Sequence, residues 1–214
     1  MTYLQLINAV LRRLRQDEVT DVNENDYSKL IGEYVNSVKK ECETAWNWNA
    51  LAATLILNTS PNVFSYSLDG SGTRFRVLDV GNDTSDFELQ QRSVSWMNKY
   101  YLGPVTPGIP NFYSFNGVNI NGDSMVDVYP IPDNVYTLRF NVIIPQEDLV
   151  ANNDTLLIPS EPVIQGALAR AISERGEDGG RLSNDQYILY RSALADEIAV
   201  EAGRFPEDTV WYTV

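Results

Sequence analysis

Apolar residues recur at helical spacing near both ends of the chain and at strand spacing in its middle. Leu4, Ile7, Leu11 and Leu14, with Val10 beside them, form one stripe that predicts a helix over residues 2–16. Thr2 and Gln5 have the spacing of a reciprocal N-terminal cap. A second helix is predicted from about Asp26 to Trp46, with Tyr27, Leu30, Ile31, Tyr34, Val35, Val38 and Cys42 on its buried face. From residue 52 to 145 the period falls to two. Runs such as ATLILNT, VFSYSL, RFRVLDV, MVDVYPI and VYTLRFNVII are rich in β-branched and aromatic residues. Turn signals separate them, among them Ser60-Pro61-Asn62, Asp69-Gly70-Ser71-Gly72 and Asn121-Gly122-Asp123. One excursion, SWMNKYYLGPVTPGIP, predicts a helical turn near Trp96–Tyr101 and then a proline-rich loop. Helix returns with a cap at Ser160, Pro162 in the first turn, a stripe through Val163, Ile164, Ala167, Leu168, Ala171 and Ile172, and a stop at Gly176. Ser183 and Gln186 predict a cap for a last helix, which carries Tyr187, Tyr190, Leu194 and Ile198 towards Gly203.

The expected fold is α+β: an antiparallel four-helix bundle from residues 1–50 and 158–204, an inserted antiparallel β domain at 51–157, and a C-terminal arm at 205–214. Trp46 and Trp48 stand where the chain leaves the second helix, a place where large aromatics fill a wedge between layers. The arm, FPEDTVWYTV, has no helical period but holds Phe205, Val210, Trp211 and Tyr212. Exposed apolar groups of that size predict docking into a neighbouring chain, against the alternative of folding back on the arm's own helices. Arg12, Arg13 and Arg15 crowd the end of the first helix, where the helix dipole favours cations. They read as a solvated helix end or as a contact for an acidic partner surface.

Chemistry is conspicuous by what the composition lacks. The chain has no histidine, which removes the commonest general base, nucleophile activator and zinc ligand. Its single cysteine, Cys42, rules out an internal disulfide framework and fits a cytoplasmic folding compartment. Asp21, Asn23 and Asn25 alternate as in a calcium loop, but Asp26 stands where glycine is required and Gly32 where a bidentate glutamate is required. Helix capping accounts for that loop better. Carboxylate pairs such as Asp17 with Glu18 and Glu177 with Asp178 sit in charged loops. No catalytic, cofactor-binding or metal-ligating residue is expected, and no enzymatic activity. No apolar run approaches the roughly 18 residues of a membrane span, and the N-terminus has its basic residues after its apolar ones, unlike a signal peptide. The net charge is −13, and each third of the chain is acidic in balance, so a basic footprint for gripping nucleic acid is missing.

The element order, the helix exit TAWNWN and the proline-preceded helix IPSEPVIQGALARAISER resemble the head-to-tail connector, or adaptor, proteins of short-tailed bacteriophages, the tail tubular protein A class. The resemblance implies a structural virion protein, assembled in the bacterial host cytoplasm. It implies a dodecameric ring of copies of the chain between a portal protein and a tail nozzle protein, with DNA passing through the hole without specific binding and with no cofactor. An acidic channel wall suits that passage, because it repels a polyanion instead of retaining it. The alternatives are another tail or baseplate attachment module, a carbohydrate-binding β domain with Trp96, Tyr100 and Tyr101 in a sugar groove, and a hydrolase working with carboxylates alone.

Overall fold

The computed structural model describes residues 1–176 and 180–204. The chain divides into two compact units, Met1–Ala50 with Gln146–Val214 and Leu51–Pro145. The described residues form helices α1 (Tyr3–Arg13), α2 (Asp26–Ala45), α3 (Val94–Tyr101), α4 (Ser160–Arg175) and α5 (Arg181–Ala202). The strands are β1 (Ala52–Asn58), β2 (Ser65–Ser67), β3 (Arg76–Asn82), β4 (Phe87–Glu88), β5 (Gln90–Gln91), β6 (Phe112–Val118), β7 (Ser124–Tyr129) and β8 (Thr137–Ile143).

This is not the expected antiparallel four-helix bundle with an inserted antiparallel β domain. Among the described residues there are five α-helices and two four-stranded sheets, and one sheet is mixed because β5 runs parallel to β6. In the first unit α4 is the hub, packed against α1, α2 and α5. It is buried around most of its circumference, from Pro162 to Ala171. By contrast, α5 buries only Tyr190, Leu194 and Glu201, and so it lies along α4 without closing a four-sided core. The pattern misled because it treats each helix as one-faced, whereas the small residues Gly166, Ala167, Ala169 and Ala171 let neighbours approach α4 from several sides.

Gly166 marks a close approach of neighbours to α4. A Cβ there would lie 2.5 Å from Val38 Cγ1 and 3.2 Å from Tyr190 Cδ2. Gly166→Ala would gain about 1 kcal/mol of helix propensity, but overpacking costs about 1–3 kcal/mol. The expected outcome is a lower melting temperature in calorimetry; a variant as stable as the parent would show that α2 and α5 can part at no cost.

Local signals were mostly reliable. Thr2 and Gln5 exchange both capping bonds, and Asn25 does the same with Ser28 at the start of α2. Two predicted caps are corrected. Ser160 is the first residue of α4 and makes no cap bond. The Ser183–Gln186 box does not form, because α5 starts earlier, after Gly180 at φ 89°, and Ser183 Oγ instead donates to the Ala169 carbonyl.

In the second unit the sheets are ordered β1-β8-β3-β4 and β2-β7-β6-β5. Alternate residues from both, including Leu57, Val80, Tyr113, Val126, Leu138 and Phe140, fill one core. The β6–β7 turn is held by Asn119 Oδ1, which accepts from the amides of Asn121 and Asp123.

Candidate functional site

Helix α5 leaves several apolar residues uncovered. Ile188 is 58% exposed, Leu189 54% and Val200 65%, and they occupy sides of the helix away from Tyr190, Leu194 and Glu201. Ala195 and Ala199 are exposed between them. A soluble helix normally confines apolar groups to one face; one that carries them on its outward sides too is built to be covered. The predicted stripe named Tyr187, Tyr190, Leu194 and Ile198; Tyr190 and Leu194 are buried, while Tyr187 is 49% exposed. The signal for the outward set was present in the run Ile188-Leu189 and in Val200, residues that fit no single stripe.

The three arginines differ in their local commitments. Arg13 forms a two-pronged contact with Glu161 at 3.0 and 3.1 Å and so ties α1 to α4. Arg12 pairs with Glu18 at 3.4 Å, with both side chains more than half exposed. Arg15 takes the left-handed conformation at φ 56°, which turns the chain out of the helix, and among the described residues it makes no ion pair. Phe205, Val210, Trp211 and Tyr212 lie outside the described residues.

The aromatic group of the second unit is packed against itself. The rings of Trp96 and Tyr100 lie 4.2 Å apart, Trp96 also meets Phe112 and Tyr129, and the Arg92 guanidinium sits over Trp96 and Phe112. Tyr101 donates its hydroxyl to the Val128 carbonyl at 2.6 Å, and its burial raises its pKa. These rings spend much of their surface on one another, while Tyr100 stays 44% exposed.

Polar residues in the first unit are likewise committed to structure. Asp21 accepts from the Asn23 amide and from Asn152 Nδ2, and Asn25 caps α2, so the calcium-like loop spends its oxygens on turns. No group of three or more His, Cys, Asp or Glu placed to hold a metal occurs among the described residues. No helix among them is long and apolar enough to cross a membrane.

Sequence reasoning missed a buried ion pair. Lys39 and Glu43, one helical turn apart on α2, have side chains that are 0% exposed, with Nζ 3.3 Å from Glu43 Oε1. Lys39 Nζ also donates to the carbonyls of Gln146 at 2.5 Å and Glu147 at 3.1 Å, and Glu43 Oε1 accepts from the Gln146 amide. The spacing was legible, since both residues fall beside Val35, Val38 and Cys42 on the predicted buried face. Next to the pair, burial pushes the Cys42 thiol up to about 12. Its sulfur lies 3.9 Å from the Tyr190 hydroxyl, which in turn donates to Glu41, the ion-pair partner of Arg170.

Asp154 gives the unit an acid-sensitive joint. Its Oδ2 accepts from the amides of Val150 and Ala151, each at 2.7 Å, and these bonds hold its carboxyl below the ordinary 3.8. A depressed carboxyl contributes stability that is complete above its unfolded pKa and is lost as pH falls through the folded one. The amides of Val150 and Ala151 are therefore expected to exchange faster relative to core amides as the solution is acidified below that range, and Asp154→Asn should remove the pH dependence. NMR-detected hydrogen exchange checks both.

Among curated proteins, none matches the chain. A family model described as SU10 adaptor protein matches residues 1–209. With a helical unit whose last helix bears apolar residues facing outward, a β unit with self-packed aromatics, and polar groups spent on structure, the chain belongs to the SU10 adaptor protein family, a family of phage head–tail adaptors.

Proposed function

We propose that this chain is a ring-forming virion protein that joins the portal to the tail nozzle and lines the DNA channel, as in the connectors of short-tailed phages. Membership of a phage adaptor family supports a structural role in the virion and association with other head and tail components. The observation that carries the assembly reading is the outward apolar set of α5, Ile188, Leu189 and Val200, which an isolated chain would leave in water. The net charge of −13 is compatible with a wall that DNA slides past. In this reading the C-terminal arm, with Phe205, Val210, Trp211 and Tyr212, anchors in a neighbouring chain, and Arg15, beside Arg12 and Arg13, meets an acidic partner surface. Assembly takes place in the bacterial host cytoplasm, and a dodecameric ring is the expected stoichiometry.

Sedimentation and negative-stain imaging of the full chain, alone and with portal, test the proposal. The wild-type chain should form rings or cap the portal. Ile188→Asp with Leu189→Asp should keep the far-ultraviolet circular dichroism and melting temperature while weakening assembly by about tenfold or more, since a charge at the centre of an apolar contact must be desolvated. Unaltered assembly by the double variant would remove α5 from the interface.

A further inference from the structure

The four sheet edges of the second unit are not alike. Three belong to strands of two or three residues, β2, β4 and β5, which offer little to pair with. The fourth belongs to β1, seven residues long, and no strand among the described residues pairs with its far side. Its sequence, AATLILN, has no charge and no proline. Its register with β8 is unbroken from Ala52 to Asn58, whereas the β3–β8 and β6–β7 ladders shift register. Folded proteins usually blunt a long edge with a charge, a proline or a bulge; β1 has none of these.

Antiparallel alternation identifies the groups left over. The Ile144 amide donates to the Leu51 carbonyl, and the Thr59 amide donates to the Tyr136 carbonyl. These bonds place the odd-numbered residues of β1 in hydrogen-bonded pairs with β8. The amides and carbonyls of Ala52, Thr54, Ile56 and Asn58 therefore point off the sheet edge. Ile56, whose side chain is 54% exposed on the outer face, stands in the middle of that row.

The chain itself carries a segment that suits this edge. Residues 209–214, Thr-Val-Trp-Tyr-Thr-Val, are all β-branched or aromatic, with no charge, glycine or proline. Pro206 precedes them, and the ten residues after Arg204 reach at most about 35 Å when extended. Extended, the segment alternates Val210, Tyr212 and Val214 on one face with Thr209, Trp211 and Thr213 on the other. The first set can continue the row of Ala53, Leu55 and Leu57 on the core side, and the second can lay Trp211 beside Ile56.

We propose that β1 receives residues 209–214 of a second copy of this chain as an added edge strand, so that each subunit extends the sheet of its neighbour. The inference rests on the assembly reading above and names the surface and mode of contact for the arm. A head-to-tail exchange of this kind uses different surfaces on the two partners, which is what a closed ring requires.

Hydrogen exchange at the Thr54 and Ile56 amides of the full chain tests the pairing in three conditions: dilute monomer, concentrated protein, and dilute protein with excess synthetic peptide FPEDTVWYTV. Exchange should slow by about tenfold or more with the peptide, and equally in any assembly that forms. Ile56→Pro removes an amide that makes no bond within the sheet, so the fold should survive while both effects vanish. Ile56→Lys, which burdens the edge with charge and keeps the backbone intact, should act alike if the proline variant does not fold. The pairing is overturned if the peptide leaves both amides unchanged, if they are already slow in the dilute monomer whatever the concentration, or if both variants behave as the wild type. Sedimentation separates this from the assembly reading. Protection by peptide in a chain that stays monomeric keeps the pairing and rejects the ring, and rings with unprotected β1 amides do the reverse.

Discussion

Lys39→Met is expected to destabilise the helical unit by about 3–5 kcal/mol, the cost of breaking a buried ion pair from one side. Methionine follows the lysine side chain as far as Cε and lacks only the terminal group, so the packing of the stem changes little. What changes is the charge balance: the Glu43 carboxylate keeps its place in a fully buried site after the ammonium 3.3 Å away has gone. The Gln146 and Glu147 carbonyls lose their donor as well. Urea denaturation should show the midpoint falling with no change in slope. Adding Glu43→Leu should recover part of the loss, because removing both charges also removes the desolvation cost. Recovery should stop short of wild type, since the two carbonyls still lack the lysine. A single variant within about 1 kcal/mol of wild type would mean that water reaches the pair on removal of the ammonium.

Trp48→Ala should cost a similar amount, about 3–5 kcal/mol, as for other large-to-small changes at buried aromatics. Trp48 is 2% exposed, and its indole donates to the Cys42 carbonyl at 2.7 Å, near the end of α2. One residue later, the Asn49 amide donates to Glu201 Oε1, at the far end of α5. The tryptophan thus fixes the path by which the chain leaves α2 and reaches the C-terminal end of the last helix. Trp48→Phe keeps most of the bulk and loses only the hydrogen bond, so its cost should be about 1 kcal/mol. Calorimetry of the two variants separates volume from bonding; equal losses would assign the whole effect to the bond.

The contrast between those tryptophans shows where a sequence is readable. Both were singled out for their size as a pair filling a wedge between layers; Trp48 is buried, whereas Trp46, two residues earlier, is only partly buried. Helix positions and the strand-rich middle were legible because periodicity and turn residues are local. The capping box at Thr2 was legible for the same reason. Architecture was not. Whether α5 closes a bundle or lies along one side of α4 depends on how many neighbours α4 accommodates, and that is set by Gly166 and the alanines around it meeting residues far away in sequence. The outward apolar residues of α5 were visible as letters, but only the helix packing shows which of them remain uncovered. The arginines were read as a group because they are adjacent in sequence; that Arg13 pairs with Glu161 and Arg12 with Glu18 is set by where the chain brings those carboxylates.

The thiol beneath Tyr190 has a consequence for how the molecule can be watched. A thiolate is the reactive form of cysteine, and with its pKa at about 12 Cys42 is held almost wholly as the unreactive thiol under ordinary conditions. It is also the chain's only cysteine. A reagent selective for thiols must therefore wait for α2 and α5 to part, and each molecule it modifies records one such event. The chain carries its own clock for the breathing of its helical unit, readable by mass without introducing a probe.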